Sequence, residues 1–282
     1  MTQSTSDRDW FVHSQNARIE RLEAYFGGHA YEPHRHDTYA IGMTLSGVQS
    51  FHYRGEHRHS VPGRTIVLHP DELHDGHAGS EGGFRYRMIY IPPAIIQDML
   101  GGRALPYIPG GITRDRRLGA CVARLLRHVD NPPEDFEEDD GLFDLAMALS
   151  AHAGQRPDRH GFDYPAAQRA REFLDAAQGR AVTLAELEAA SGRDRWRLSR
   201  DFRTLFGTSP YRYLTMRRLE RVKQRLRSGA ALSDAAIEAG FADQSHMTRQ
   251  FSEAYGISPG RWRRLIEGKA GHTPRQAVNA AP

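Results

Sequence analysis

The sequence predicts an α+β protein. A β-barrel with flanking helices forms the N-terminal half, and an all-α C-terminal half carries two helix-turn-helix motifs. Three observations predict it. Beyond Ile91 the hydrophobic period changes from that of strands to that of helices. The C-terminal half contains the same punctuated segment twice. Charge also divides along the chain: residues 1–164 hold 17 Lys and Arg against 23 Asp and Glu, and residues 165–267 hold 19 against 12. A length of 282 residues suits two domains.

The barrel rests on short alternating runs between residues 18 and 91. Strands are expected at 38–45, 48–53, 64–68 and 84–91, with Gly47, Gly55, Gly63 and the pair Gly82 and Gly83 marking turns. Two helices follow. In 115–129 the residues Leu118, Val122, Leu125 and Val129 make one apolar stripe, and Phe136, Phe143, Met147 and Ser150 nearly repeat it in 133–152. The acidic run 134–140 suits the start of that second helix, where negative charge meets the positive end of the helix dipole. The segment 154–164 is polar, contains Pro and Gly, and reads as a linker. Residues 165–267 are helical throughout, and 268–282 are expected to be a disordered tail. The expected division is therefore 1–153, a linker 154–164, 165–267 and the tail.

Composition removes several classes. No run approaches the roughly 20 apolar residues of a membrane helix, and the first ten residues lack the apolar core of a secretory signal. Neither feature implies a membrane partner, and the expected location is the cytoplasm. Cys121 is the only cysteine, so no internal disulfide can form, and it reads as a small buried hydrophobe. There is no phosphate-binding loop, nucleophile elbow or His-Glu-x-x-His run. Neither a catalytic residue nor a cofactor is assigned. The basic second half points to a polyanion as its partner.

The repeat is the most specific signal. Arg200, Phe202, Phe206, Gly207, Ser209, Pro210 and Tyr213 recur as Arg249, Phe251, Tyr255, Gly256, Ser258, Pro259 and Trp262. Gly207 and Gly256 suit the left-handed residue that ends a helix. Ser209 and Ser258 can cap the next helix, with Pro210 and Pro259 at its first position. Asp194 and Asp243 can cap the second helix of each copy, after turns at Ser191-Gly192 and Gly240-Phe241. In each of these helices one face is apolar: Leu198, Phe202 and Leu205, then Met247 and Phe251. Trp196, Ser199, Arg200 and Arg203 share another face, as do Ser245, Thr248 and Arg249. Arginine can grip guanine through O6 and N7, glutamine can grip adenine, and Ser or Thr accepts several partners.

Residues 166–267 resemble the AraC/XylS DNA-binding domain. The run from Ala236 through Gly240, Phe241, Asp243, Gln244, Ser245, His246, Arg249, Phe251 and Gly256 to Ser258-Pro259 is similar to that family's second-motif signature. The resemblance implies recognition helices at 195–206 and 244–255, joined by a long helix at 210–227, that enter successive major grooves of double-stranded DNA. It carries base contact to Trp196, Ser199 and Arg200, and to Gln244, Ser245, His246 and Arg249. Arg195, Arg203 and Thr248 complete the expected DNA-binding set. Asp243 is a sound cap but an unhelpful charge beside phosphates.

The N-terminal half carries Gly28, His34, His36, Ala40 and Gly47, which resemble the first cupin motif, with Ala40 where metal-binding cupins usually place Glu. Gly63, Pro70 and His74 resemble the second motif, offset by one residue, and 34–78 looks like the sensor barrel of AraC-type regulators. His34, His36 and His74 then have three readings. They line a small-molecule pocket, hold a divalent metal with Glu72 or His69 replacing the lost carboxylate, or are hydrogen-bonded structural residues. The adopted reading is an effector site of His34, His36, Tyr39 and His74 without metal. His52, His57 and His59 are expected on the surface near a hairpin.

The functional expectation is a sequence-specific DNA-binding transcription factor modulated by a small-molecule effector in the barrel. A homodimer would form through the stripe in 115–129, and RNA polymerase would be a partner of an activator. A cupin enzyme is the rival from another class, and Ala40 and the duplicated helix-turn-helix argue against it. A purely structural DNA binder would leave the barrel without a role.

Overall fold

The computed structural model describes residues 9–14, 18–131, 133–153, 161–177 and 179–267. Most of the expected linker and the whole expected tail lie outside the described residues. The class is α+β, as the sequence predicts. The strands lie in two antiparallel sheets. One has the order β1 (Trp10–His13), β2 (Glu20–Phe26), β9 (Phe84–Ile91), β4 (Tyr39–Gly47), β7 (Thr65–Leu68) and β10 (Ile112–Thr113). The other has the order β3 (His29–His34), β8 (His74–Ala78), β5 (Gln49–Tyr53) and β6 (Glu56–Ser60). Long β9 pairs with β2 on one side and β4 on the other, which fixes the centre of the larger sheet. Arg54 and Gly55 both take positive φ at the tip of the β5–β6 hairpin, the backbone that a tight two-residue turn requires.

Three apolar clusters organise the molecule. Phe26, Phe51, Phe84 and Tyr86, between the sheets, are continuous with Met216, Leu219, Val222, Phe251 and Trp262 from the C-terminal half. The second cluster packs Ile41, Val67 and Ile89 of the larger sheet against α1 (Pro93–Leu100), α2 (Arg116–Leu125) and α3 (Asp135–Ala153). The third is built from α4 (Tyr164–Ala176), α5 (Leu184–Ser191), α6 (Arg195–Phe206) and the start of α7 (Pro210–Arg227), with Ala94 from α1. The second helix-turn-helix, α8 (Leu232–Glu238) and α9 (Gln244–Tyr255), followed by α10 (Pro259–Glu267), thus shares a core with the sheets. The two halves drawn from the sequence are not independently packed.

Two expectations about the helices are corrected. Leu118, Val122, Leu125 and Val129 are buried within the chain, so the stripe is core and offers no dimer surface. In α3 the buried stripe is Leu142, Leu145, Ala146 and Leu149, while Phe136 is 81% and Phe143 50% exposed. Apolar residues occur on both faces of α3, and the buried aliphatic ones pack in the second cluster, where α3 lies against α1 and α2. Acidic Asp135, Glu137 and Glu138 do occupy its first turn. Glu138 is buried and receives the fully buried Arg21 at 2.6 Å, with Arg21 Nε donating to the Leu125 carbonyl at 2.9 Å. Cys121 is partly buried against the second cluster, and burial raises its thiol pKa.

Candidate functional site

The two recognition helices take the expected bounds, α6 at Arg195–Phe206 and α9 at Gln244–Tyr255, joined by α7 at Pro210–Arg227. Their ends are set by local chemistry. The Asp194 carboxylate accepts from the Trp196 and Arg197 amides, and Asp243 from the His246 amide. Gly207 and Gly256 close them at φ of 71° and 66°. Leu198, Phe202, Leu205, Met247 and Phe251 are buried. Arg195, Trp196, Arg200 and Arg203 are exposed, as are Gln244, Ser245 and Arg249, while Ser199, His246 and Thr248 are half-buried. Trp196, 70% exposed, carries the Arg195 guanidinium over its ring at 5.0 Å. Arg203 donates to the Ser199 hydroxyl and carbonyl. A large aromatic ring and a row of cations in solvent form a surface suited to stacking on, and pairing with, a polyanion.

The sheets grip these modules at the opposite ends of their recognition helices. A side chain at Gly207 would collide with Pro70 at 2.6 Å, and one at Gly256 with the Glu32 carbonyl at 2.6 Å. The Glu32 and Arg35 amides donate to the carbonyls of Gly256 and Glu253, at 3.1 and 3.0 Å. The Leu105 amide donates to Thr204, and the Thr208 hydroxyl to Asp71. Glycine at these two places thus serves both the left-handed cap and a close approach by the sheet rim.

Charge completes the junction. Arg217 pairs with buried Asp37 at 2.7 Å, and Lys223 with Glu20 at 2.7 Å and Glu220 at 3.3 Å. Burial opposes the Lys223 charge, but Glu20 and Glu220 outweigh it and raise its pKa. Part of the basic half therefore meets the acidic half, so not every cation there awaits a polyanion. Sequence reasoning missed Glu20, Asp37, Arg217 and Lys223. The one available signal was that Lys223 is the only lysine among the arginines of residues 165–267.

A cavity of about 110 Å³ lies at this junction. Its walls include Leu22, Phe51 and Met88 from the sheets, and Met216, Lys223 and Trp262 from the helices. His34, His36 and His74 all line it and are buried. Strand β3 ends at His34, which pairs in register with His74 at the start of β8. The rings of His34 and His36 approach His74 to 4.3 and 4.9 Å between centroids. Each Nδ1 faces a main-chain carbonyl: Glu32 for His34 at 2.8 Å, Thr38 for His36 at 3.0 Å and Glu72 for His74 at 2.9 Å. A carbonyl can only accept, so Nδ1 donates and Nε2 keeps its lone pair. Burial depresses all three pKa values, with His74 at about 4, so the rings are neutral at pH 7.

The structure alters the rest of the expected pocket. Ala40 lines the cavity, whereas Tyr39 points to the opposite face of β4, within the second cluster, and donates to the Pro106 carbonyl at 2.7 Å. Adjacent strand residues face opposite ways, so Tyr39 leaves the set. Neither proposed stand-in for a carboxylate at Ala40 reaches the triad. Glu72 pairs with Arg54 at 3.0 Å, and His69 bonds the Tyr53 hydroxyl and receives the Ile108 amide. His52, His57 and His59 are exposed, as expected.

Comparison with known proteins agrees with both halves. Residues 16–146 match the AraC-like ligand binding domain, and residues 187–265 match a helix-turn-helix domain. The chain belongs to the AraC/XylS family. It is an AraC-type DNA-binding transcription regulator. The HTH-type transcriptional regulator YbfI of Bacillus subtilis is 26% identical over 235 residues, covering 80% of this chain and 86% of that protein. A putative AraC-like transcription regulator of Streptomyces antibioticus is 30% identical over 126 residues, covering 43% of this chain and 42% of the other. Crystalline ToxT from Vibrio cholerae shares the fold at a TM-score of 0.62 and 13% identity, over 91% of this chain and 98% of ToxT. ToxT is also similar, at a TM-score of 0.62 and 11% identity over 93% of this chain and 97% of ToxT, in a form bound to an unsaturated fatty acid. Among the described residues no helix is long and apolar enough to cross a membrane.

Proposed function

We propose that this regulator reads operator DNA through the exposed faces of α6 and α9, and that a small molecule entering the junction cavity modulates it. The contact set is Arg195, Trp196, Ser199, Arg200 and Arg203, with Gln244, Ser245, His246, Thr248 and Arg249. The observation that carries the reading is the cavity's position. Both halves line it, and the same rim that bears His34 holds the end of α9. A ligand acts only through its differential affinity for two arrangements. An engineered cavity that binds benzene measures about 150 Å³, so an organic effector of that size or more would extend to the open side of the cavity or part the sheets from α7 and α9. The fatty acid and the naphthalenyl-butenoic acid bound by ToxT are carboxylic acids. In this chain Lys223 is the cation placed to meet such a group, in competition with Glu20 and Glu220. The protein acts without catalysis, in the cytoplasm, and as an activator it would touch RNA polymerase.

The test is a thermal-shift screen of aliphatic and aromatic carboxylic acids against the full chain. At least one should raise the melting temperature of the wild type, and His36→Ala and His74→Ala should abolish that shift while retaining operator binding. If every acid that stabilises the wild type stabilises both variants equally, the pocket assignment fails.

The homodimer moves to α3, where Phe136 and Phe143 face solvent. Phe136→Asp combined with Phe143→Asp should convert a dimer to a monomer in sedimentation velocity. A wild type that is monomeric at high concentration, or a variant that stays dimeric, removes α3 as the interface.

A further inference from the structure

The geometry points to a resident divalent metal ion, of the zinc class, held by the Nε2 atoms of His34, His36 and His74. This goes beyond the effector reading, because the ion would be a fixed part of the cavity wall and needs no operator to be detected. Four observations converge. One ring nitrogen from each histidine lies within 4.8 Å of the other two. All three Nδ1 atoms are committed to main-chain carbonyls, the arrangement that fixes a metal-binding histidine and directs Nε2 at the ion. His36 Nε2 is buried with no hydrogen-bond partner, a cost that a metal bond would remove. Finally, at about 110 Å³ the cavity has room for an ion and its waters.

The donor set selects the metal class. Three neutral imidazoles suit zinc, copper, nickel or iron and disfavour magnesium and calcium, which prefer oxygen. Tetrahedral zinc with Zn–N bonds of about 2.0–2.1 Å needs nitrogens roughly 3.3 Å apart, so the rings must close by about an ångström or more at the widest pair. Rotation of the rings about their Nδ1 contacts would have to supply this. Three histidines leave the fourth position open toward the cavity, for water or an anionic ligand. Ala40, in the same wall, supplies no competing donor. His34 also abuts Gly256, where an added Cβ would lie 2.7 Å from Nδ1. An ion on the other side of this ring would therefore stiffen the rim that holds the end of α9.

A second histidine group controls the experiment. His52, His57, His59 and His77 cluster on the face of the smaller sheet, with His57 Nε2 and His77 Nε2 3.2 Å apart. His52, His57 and His59 are exposed and His77 is half-buried, and these rings would also take up added metal. The full chain is stripped with a chelator at pH 7.5 and titrated with cobalt(II), then with zinc(II). The wild type should bind one equivalent of cobalt with the intense visible bands of a low-coordinate nitrogen site, and zinc should displace it. His36→Gln and His74→Gln, near in size and checked for folding by circular dichroism, should lose that signal. His57→Ala combined with His77→Ala should keep it. Full signal in the folded His36 and His74 variants would overturn the site. So would a wild type with no such bands, or bands lost only in the His57/His77 variant. Operator binding is measured on the same samples by gel shift, so a wild type that binds DNA but shows no metal signal rejects the ion and not the regulator.

Discussion

Operator affinity should fall about 10³- to 10⁵-fold between 50 and 200 mM salt. The reason is counterion release. Two recognition helices with Arg195, Arg200, Arg203 and Arg249 in solvent, and the arginines around them, should make roughly 6–10 phosphate contacts. Each contact contributes about −0.9 to the log–log slope, giving a value near −5 to −9. Arg217 and Lys223 are excluded from that sum because they already pair with Asp37 and Glu20. Fluorescence anisotropy with labelled operator at five or six salt concentrations measures the slope. A value near zero would mean that the exposed arginines do not meet phosphates.

Replacing Glu138 with alanine should destabilise the protein by about 3–5 kcal/mol, the usual cost of stranding one member of a buried ion pair. Arg21 is fully buried, and its remaining hydrogen bond would run from Nε to the Leu125 carbonyl. Exposed Arg18 also reaches Glu138, at 3.7 Å, but can turn to water and contributes little. Arg21→Met in the Glu138→Ala background should recover most of the loss, because the stranded charge is then gone. Urea unfolding of wild type, Glu138→Ala and the double variant gives the comparison. A single Glu138→Ala variant within about 1 kcal/mol of wild type would show that water reaches Arg21, against its burial here.

What was legible in the sequence was what local chemistry decides. Asp194, Gly207, Ser209-Pro210, Asp243 and Gly256 are caps and stops whose effect reaches only a few residues, so α6, α7 and α9 could be bounded without a structure. Strands β4, β5, β7 and β9 were legible because they are apolar enough to show as runs. Strands β3 (HAYEPH) and β8 (HDGHA) were not, since neither alternates cleanly and each is held by pairing with the other. Helix α1 was missed although Pro92-Pro93 is a helix-start signal.

The candidate site divides the same way. The convergence of His34, His36 and His74 follows from motif spacing. Tyr39 was misplaced because a residue beside Ala40 on a strand must face away from it. The junction pairs Asp37–Arg217 and Glu20–Lys223 join residues some 180 and 203 positions apart, and no local pattern announces them. The stripe in α2 looked like an interface because periodicity reports that a face is buried, not what buries it.

Both helix-turn-helix modules should read DNA together. Selection of bound sequences from random double-stranded DNA tests it most directly, using the full chain and the variants Arg200→Ala and Arg249→Ala. The wild-type motif should have two parts, centred about one helical turn, or 10–10.5 base pairs, apart. Each variant should lose information at one part only, with about 1–3 kcal/mol of discrimination lost at the position its arginine reads. Wild-type protein that enriches no motif, or variants that return the wild-type motif unchanged, would contradict it.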